Sequence, residues 1–155
     1  RIDTAKGEVT WASGGHPPAF LRGVDGTIRE LGSTAFVLGA CSEDDFDAEQ
    51  QTCVFAPGDS LVAYTDGASE ARNPSGKMLR IMGLRGMVAA EGRVPGGAWP
   101  ERILDMVSAH RGGLPIEDDT LVIEIYRPVG GVASRAPQAA GASDAELEPE
   151  GAVSP

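Results

Sequence analysis

Two carboxylate clusters carry most of the chemistry this sequence offers. Asp66 directly follows a short apolar run, residues 60–65 (SLVAYT), and precedes Gly67. Asp118 and Asp119 stand immediately before another run, residues 120–126 (TLVIEIY). Runs of that length, rich in β-branched and aromatic residues, read as strands. A carboxylate at a strand end projects from rigid scaffold into the loop layer, and a glycine beside it lets the backbone turn without a Cβ in the way. If the two strands are neighbours in one sheet, the carboxylates converge at one rim. Oxygen donors with no nearby His or Cys suit Mg²⁺ or Mn²⁺ rather than zinc. Taken singly, Asp-Gly is a common turn dipeptide and Asp-Asp before a strand a common loop or cap. Spacing alone leaves both readings open.

His16 lies between Gly15 and Pro17 in a stiff segment, residues 14–18. It can reach a phosphoryl group or an acidic partner, or simply hydrogen-bond its own loop. His110 reads as a helix-face residue near a C-terminus, where a cation is favoured. The sequence contains no GxSxG elbow, no HExxH and no glycine-rich dinucleotide fingerprint, and offers no convincing Ser/His/Asp set. Pro74-Ser75-Gly76-Lys77 lacks the first glycine and the Ser/Thr of a phosphate-binding loop.

The elements that must position these groups follow from periodicity and turn residues. Residues 8–13, 19–22 and 27–31 read as strands, the last two joined in a hairpin by Gly23-Val24-Asp25-Gly26. Residues 50–55 alternate polar and apolar side chains, and Ala56-Pro57-Gly58-Asp59 is a strong turn signal. Strands 50–55 and 60–65 are therefore expected to pair antiparallel across that turn. Leu79, Met82, Leu84, Met87 and Val88 recur near helical spacing despite Gly83 and Gly86, and Pro95-Gly96-Gly97 breaks the pattern. A second helix starts at Pro100, with Ile103, Leu104 and Val107 on one face, and ends at Gly112-Gly113. The acidic stretch at residues 43–47 reads as a solvated loop. Residues 128–155, rich in Ala, Gly, Pro, Ser and Glu, read as a disordered tail, because so little apolar surface cannot offset the entropy of ordering.

The 155 residues suffice for one domain with a core, not comfortably two. A net charge of −10 argues against nucleic acid, whose binding gains from a basic surface. No apolar run approaches the roughly 18 residues of a membrane-spanning helix. The chain starts at Arg1 with neither an initiator Met nor a secretory signal, so it reads as a fragment of a longer parent. Cys41 and Cys53 show no CxxC or Cys/His spacing and are expected as free thiols in a reducing cytoplasm.

Three segments in order resemble one family. Residues 12–21 (ASGGHPPAFL) are similar to the "AGHPP" strand–turn of SpoIIE-type phosphatases, a branch of the metal-dependent, protein phosphatase 2C-like superfamily. Residues 58–71 (GDSLVAYTDGASEA) resemble their "GD…LYTDG…EA" segment, and residues 118–123 (DDTLVI) their terminal "DD-T-LVV" strand. The resemblance covers residues 1–127. It implies an α+β fold, the C-terminal portion of an α-β-β-α layered β-sandwich that is incomplete at its N-terminus. It implies Asp66 and one of Asp118 or Asp119 as metal ligands, with Asp118 favoured as first residue of its motif. Gly67 then shapes the loop near the site, as does His16, and no catalytic residue is expected beyond the metal ligands.

Two Mn²⁺ or Mg²⁺ ions would activate a water that attacks phosphorus in line. The implied activity is hydrolysis of phosphoserine or phosphothreonine on a phosphorylated regulatory protein of the anti-anti-sigma kind. An upstream sensor domain is expected in the parent, and a non-catalytic partner-binding module is the alternative. Two departures stand out. The family's other acidic ligands lie in segments that are missing before Glu8. Leu79-Arg80-Ile81-Met82-Gly83-Leu84 is also only a loose match where the family usually has an aromatic–glycine pair.

Overall fold

The computed structural model describes residues 1–37, 39–42, 44, 46–92 and 94–130. The proposed tail beyond residue 130 lies outside the described residues, as do Glu43 and Asp45 of the acidic stretch. Among the described residues, seven strands and three helices follow one another. They are β1 (Ile2–Asp3), β2 (Glu8–Trp11), β3 (Ala19–Arg22), β4 (Ile28–Leu31), β5 (Gln51–Val54), β6 (Ser60–Tyr64), α1 (Asp66–Ser69), α2 (Arg80–Ala90), α3 (Trp99–Arg111) and β7 (Val122–Tyr126). They form two antiparallel sheets, ordered β1-β2-β5 and β4-β3-β6-β7.

Alternation along the strands decides the layers. Phe20, Val62, Tyr64 and Val122 point to one face of the larger sheet, where Leu84 and Val88 of α2 and Trp99, Ile103 and Val107 of α3 close a core. Leu21, Leu31 and Leu61 point the other way and meet Val9, Cys53 and Phe55 of the smaller sheet and its flank. The described residues therefore stack as helices, sheet, sheet. Cys41 and Cys53 are both free thiols, and burial pushes the Cys53 thiol up. On β7, Leu121 beside the strand and Ile123 and Ile125 within it remain exposed.

Strands β5 and β6 do not form the expected hairpin. They belong to different sheets, and the turn between them carries the chain from one layer to the other. Asp59 explains the difference. Its carboxylate accepts from the Ala56 N–H at 2.8 Å and from the Val24 N–H at 3.3 Å. The turn is thereby fastened to the β3–β4 hairpin. Phe55, whose N–H donates to Gly7 O at 2.8 Å, dives into the inter-sheet core.

The helices also correct two apolar assignments. Met82 is 69% exposed and Leu104 40% exposed, so neither belongs to its helix's core face. Trp99, absent from the expected face, is buried and starts α3. Its backbone N–H donates to Glu124 Oε2 at 3.1 Å, and the guanidinium of Arg22 stacks 5.0 Å from its ring centroid. Arg22 also donates to the carbonyls of Glu91 and Gly92 just past α2, satisfying groups a helix end leaves open.

The first residue of α2, Arg80, has φ of +64°. Glycine is the residue that adopts this conformation without Cβ strain. Arg80→Gly is therefore expected to raise unfolding free energy by about 1 kcal/mol, measured by urea denaturation. A loss of stability would show that Arg80 contributes contacts outweighing its backbone strain.

Candidate functional site

The carboxylate rim is built by the β6–β7 pair. These strands run antiparallel with Tyr64 opposite Val122, so the end of one adjoins the start of the other. Asp66 leaves β6 and Asp118-Asp119 lead into β7 at that same end. The condition posed by the sequence, that the two strands be neighbours, is met.

Thr65 fastens the two sides together. Its hydroxyl donates to Asp119 O at 2.7 Å and accepts from the Leu121 N–H at 2.9 Å, while its own N–H donates to Leu121 O at 3.0 Å. The sequence reading passed over Thr65. Its signal was available: a hydroxyl residue between an apolar strand and Asp-Gly can bond neighbouring backbone where a ladder ends.

Asp66 is not in a loop but is the first residue of α1, a single helical turn. Its carbonyl accepts from the Glu70 N–H at 2.7 Å and the Ser69 hydroxyl at 3.1 Å, while its carboxylate Oδ1 accepts from the Gly67 N–H at 3.1 Å. The short helix fixes the Asp66 backbone and leaves the residue exposed. Opposite, Asp118 Oδ1 accepts from the Asp119 N–H at 2.7 Å, and both residues are exposed.

Gly67 is where the two halves approach most closely. A Cβ at Gly67 would lie 2.5 Å from Asp119 O and 3.0 Å from Asp118 O. The glycine is thus required by a backbone-to-backbone contact rather than by an unusual φ. Gly67 and Asp118 both line a cavity of about 180 Å³ that opens beside the rim.

His16 is exposed and its Nδ1 lies 2.8 Å from Pro17 O, so it bonds its own loop. It lines a small cavity with Thr65, Leu121 and Ile123, distinct from the one lined by Gly67 and Asp118. His110, in the last turn of α3, meets Lys77 O at 3.1 Å. It holds the loop after α1 against that helix.

Tyr64 anchors the rim from below. It is 3% exposed, stacks on Phe20 with ring centroids 5.2 Å apart, and its hydroxyl has no partner among the described residues. Burial, with the Glu30 carboxylate adding to it, pushes its phenol well above the ordinary range. It stays neutral and serves as packing.

The donor set at the rim is entirely oxygen. Exposed carboxylates on a braced backbone fit a hard divalent cation better than zinc. Among the described residues, no group of three or more His, Cys, Asp and Glu side chains is placed to hold a metal ion.

Comparison with known proteins agrees with the fold. Residues 1–128 match the family of Stage II sporulation protein E (SpoIIE). Over 130 residues the chain is 27% identical to Protein IcfG of Synechocystis sp., covering 81% of this chain and 19% of that protein. Over 76 residues it is 34% identical to the phosphoserine phosphatase RsbU of Bacillus subtilis, covering 48% of this chain and 22% of RsbU. The chain thus spans about a fifth of the length of the curated relatives it matches. The solved phosphatase domain of the cell-fate determinant SpoIIE from Bacillus subtilis superposes with a TM-score of 0.65 at 16% identity, over 86% of this chain and 57% of that one. Its mixed α/β architecture with antiparallel sheets is the fold found here. With the match extending from Arg1 to Pro128, this chain belongs to the SpoIIE family.

Proposed function

We propose that the intact protein containing this chain is a Mn²⁺- or Mg²⁺-dependent protein serine/threonine phosphatase, and that Asp66 and Asp118 are its metal ligands from this segment. The observation that supports the reading is the close approach of the backbone at Gly67 to that of Asp118 and Asp119 across the β6–β7 end, braced by Thr65. Family membership and the likeness to a phosphoserine phosphatase support it. Asp119 is the alternative ligand from the same motif.

When bound, a divalent pair supplies a nucleophilic water and neutralises charge on the phosphoryl oxygens. The chain's own part is to hold two carboxylates in fixed positions. Asp66 is set by the turn of α1 and Asp118 by the hydrogen bond to the next N–H. Ligands held in this way need not reorganise as charge develops. The proposed substrate is a phosphorylated regulatory protein, as for a sigma-factor pathway, and the proposed compartment is the cytoplasm, where free thiols persist. Among the described residues no helix is long and apolar enough to cross a membrane.

A second reading, a non-catalytic partner-binding module of the same fold, is favoured by the incomplete ligand set. One experiment separates them. The intact protein is expected to release phosphate from a phosphoserine peptide, to stop in excess chelator, and to resume when Mn²⁺ or Mg²⁺ is restored. Hydrolysis that continues in chelator defeats the metal assignment, and no hydrolysis with either ion favours the binding module.

A further inference from the structure

The cavity beside the rim has two arginines in its lining, Arg72 and Arg111, from distant parts of the chain. Arg111 ends α3, and Arg72 follows α1. They share this cavity because the intervening loop is docked on the α3 terminus. His110 Nε2 meets Lys77 O, and Pro74 Cγ lies 3.0 Å from where a Cβ on Gly112 would stand. The loop is further tied internally by Asn73, whose side-chain oxygen accepts from the Ser75 and Lys77 N–H groups at 3.1 and 2.9 Å.

The two guanidiniums are unusually free. Arg111 Nε is buried, and among the described residues it has no hydrogen-bond acceptor. Among the described residues no carboxylate forms an ion pair with either arginine. Arg72 donates one N–H to Gly76 O at 3.1 Å, an anchor that leaves the rest of its fork available. A buried donor without an acceptor is costly unless something else supplies one. A guanidinium fork matches the oxygens of a phosphoryl group, with two parallel hydrogen bonds to one anion.

Glu70, Glu117 and Asp118 share the lining. Two cations against three carboxylates make a poor anion site until divalent charge arrives at the rim. Occupancy by an anion is then coupled to metal binding.

We propose that this cavity seats the phosphoryl group of the substrate, with Arg111 as the inner donor and Arg72 as the outer one. The inference rests on the phosphatase reading above and adds the residues that grip the reacting group. Inorganic phosphate, the product, carries the same chemistry and binds the same place.

The test uses the intact protein loaded with Mn²⁺, in wild-type form and as Arg111→Gln, Arg111→Lys and Arg72→Gln. Two quantities are read: the calorimetric affinity for inorganic phosphate, and kcat and KM for a phosphoserine peptide. Arg111→Gln is expected to weaken phosphate binding and raise KM by about ten- to a hundredfold, with kcat much less affected. Arg111→Lys restores part of the loss, because it keeps the charge without the fork. Arg72→Gln, at an exposed position, shifts both quantities by about threefold to tenfold and controls for folding defects at α3. A wild-type protein that hydrolyses the peptide while all three variants keep its KM and phosphate affinity overturns the proposal and leaves the phosphatase reading standing. Arg111-dependent phosphate binding without hydrolysis does the reverse.

Discussion

Asp66→Asn is expected to reduce metal-dependent phosphate release by about three orders of magnitude, given that metal-ion stabilisation is worth several kcal/mol of barrier. Asparagine keeps the size of aspartate and an oxygen for the Gly67 N–H, so α1 and its packing survive. What disappears is one negative charge facing the cation. Asp118→Asn should do the same from the other side of the rim, and calorimetric titration with Mn²⁺ should show weaker binding in both. Asp119→Asn is the internal contrast. With Asp118 as the ligand from this motif, the fall should be tenfold or less, on the scale of outer-shell effects. Full activity in Asp66→Asn, or a larger loss in Asp119→Asn than in Asp118→Asn, would falsify the ligand assignment.

Gly67→Ala carries the second large effect, this time on stability and activity together. The added methyl would sit 2.5 Å from Asp119 O and 2.9 Å from its carbonyl carbon. These are backbone atoms tied to Thr65, so no flexible side chain can swing aside. Either α1 or the residue 118–119 loop must shift. Overpacking of this kind is expected to cost about 3 kcal/mol, read from chemical denaturation. A displacement on the order of 1 Å between the two carboxylates is also expected to cost about a hundredfold in kcat/KM, even at saturating metal. Wild-type stability in this variant would mean that the two backbones are not in contact.

The placement of residues 66 and 118–119 at one end of a strand pair was legible in the sequence because they flank the clearest strands in the chain. The apolar runs at residues 60–65 and 120–126 identify β6 and β7, and the carboxylates flank them directly. Antiparallel neighbours then bring end to start without further information. The partner of β5 was not visible. Residues 56–59 have hairpin composition, and nothing local says that the Asp59 carboxylate reaches Val24 in another hairpin. The helix faces failed for a related reason. In α2 the glycines dilute the periodic signal, and in α3 the residue that closes the core is Trp99, ahead of the proline taken as the start. Arg72 and Arg111 are the most instructive omission. Each reads as an ordinary surface charge, and only the docking of the residue 73–77 loop on α3 places them in one cavity.

The pairing of β6 with β7 also dictates when the site can exist. Asp66 and Asp118 flank strands separated by three helices, and among the described residues β7 is the last strand of the sheet in chain order. A ribosome delivers the chain N-terminus first, so Asp66 emerges long before the strand that carries its counterpart into place. A nascent polypeptide lacks the assembled rim until β7 has left the exit tunnel and zipped onto β6. Truncation anywhere before Tyr126 has the same consequence, because the rim is assembled by the closing strand.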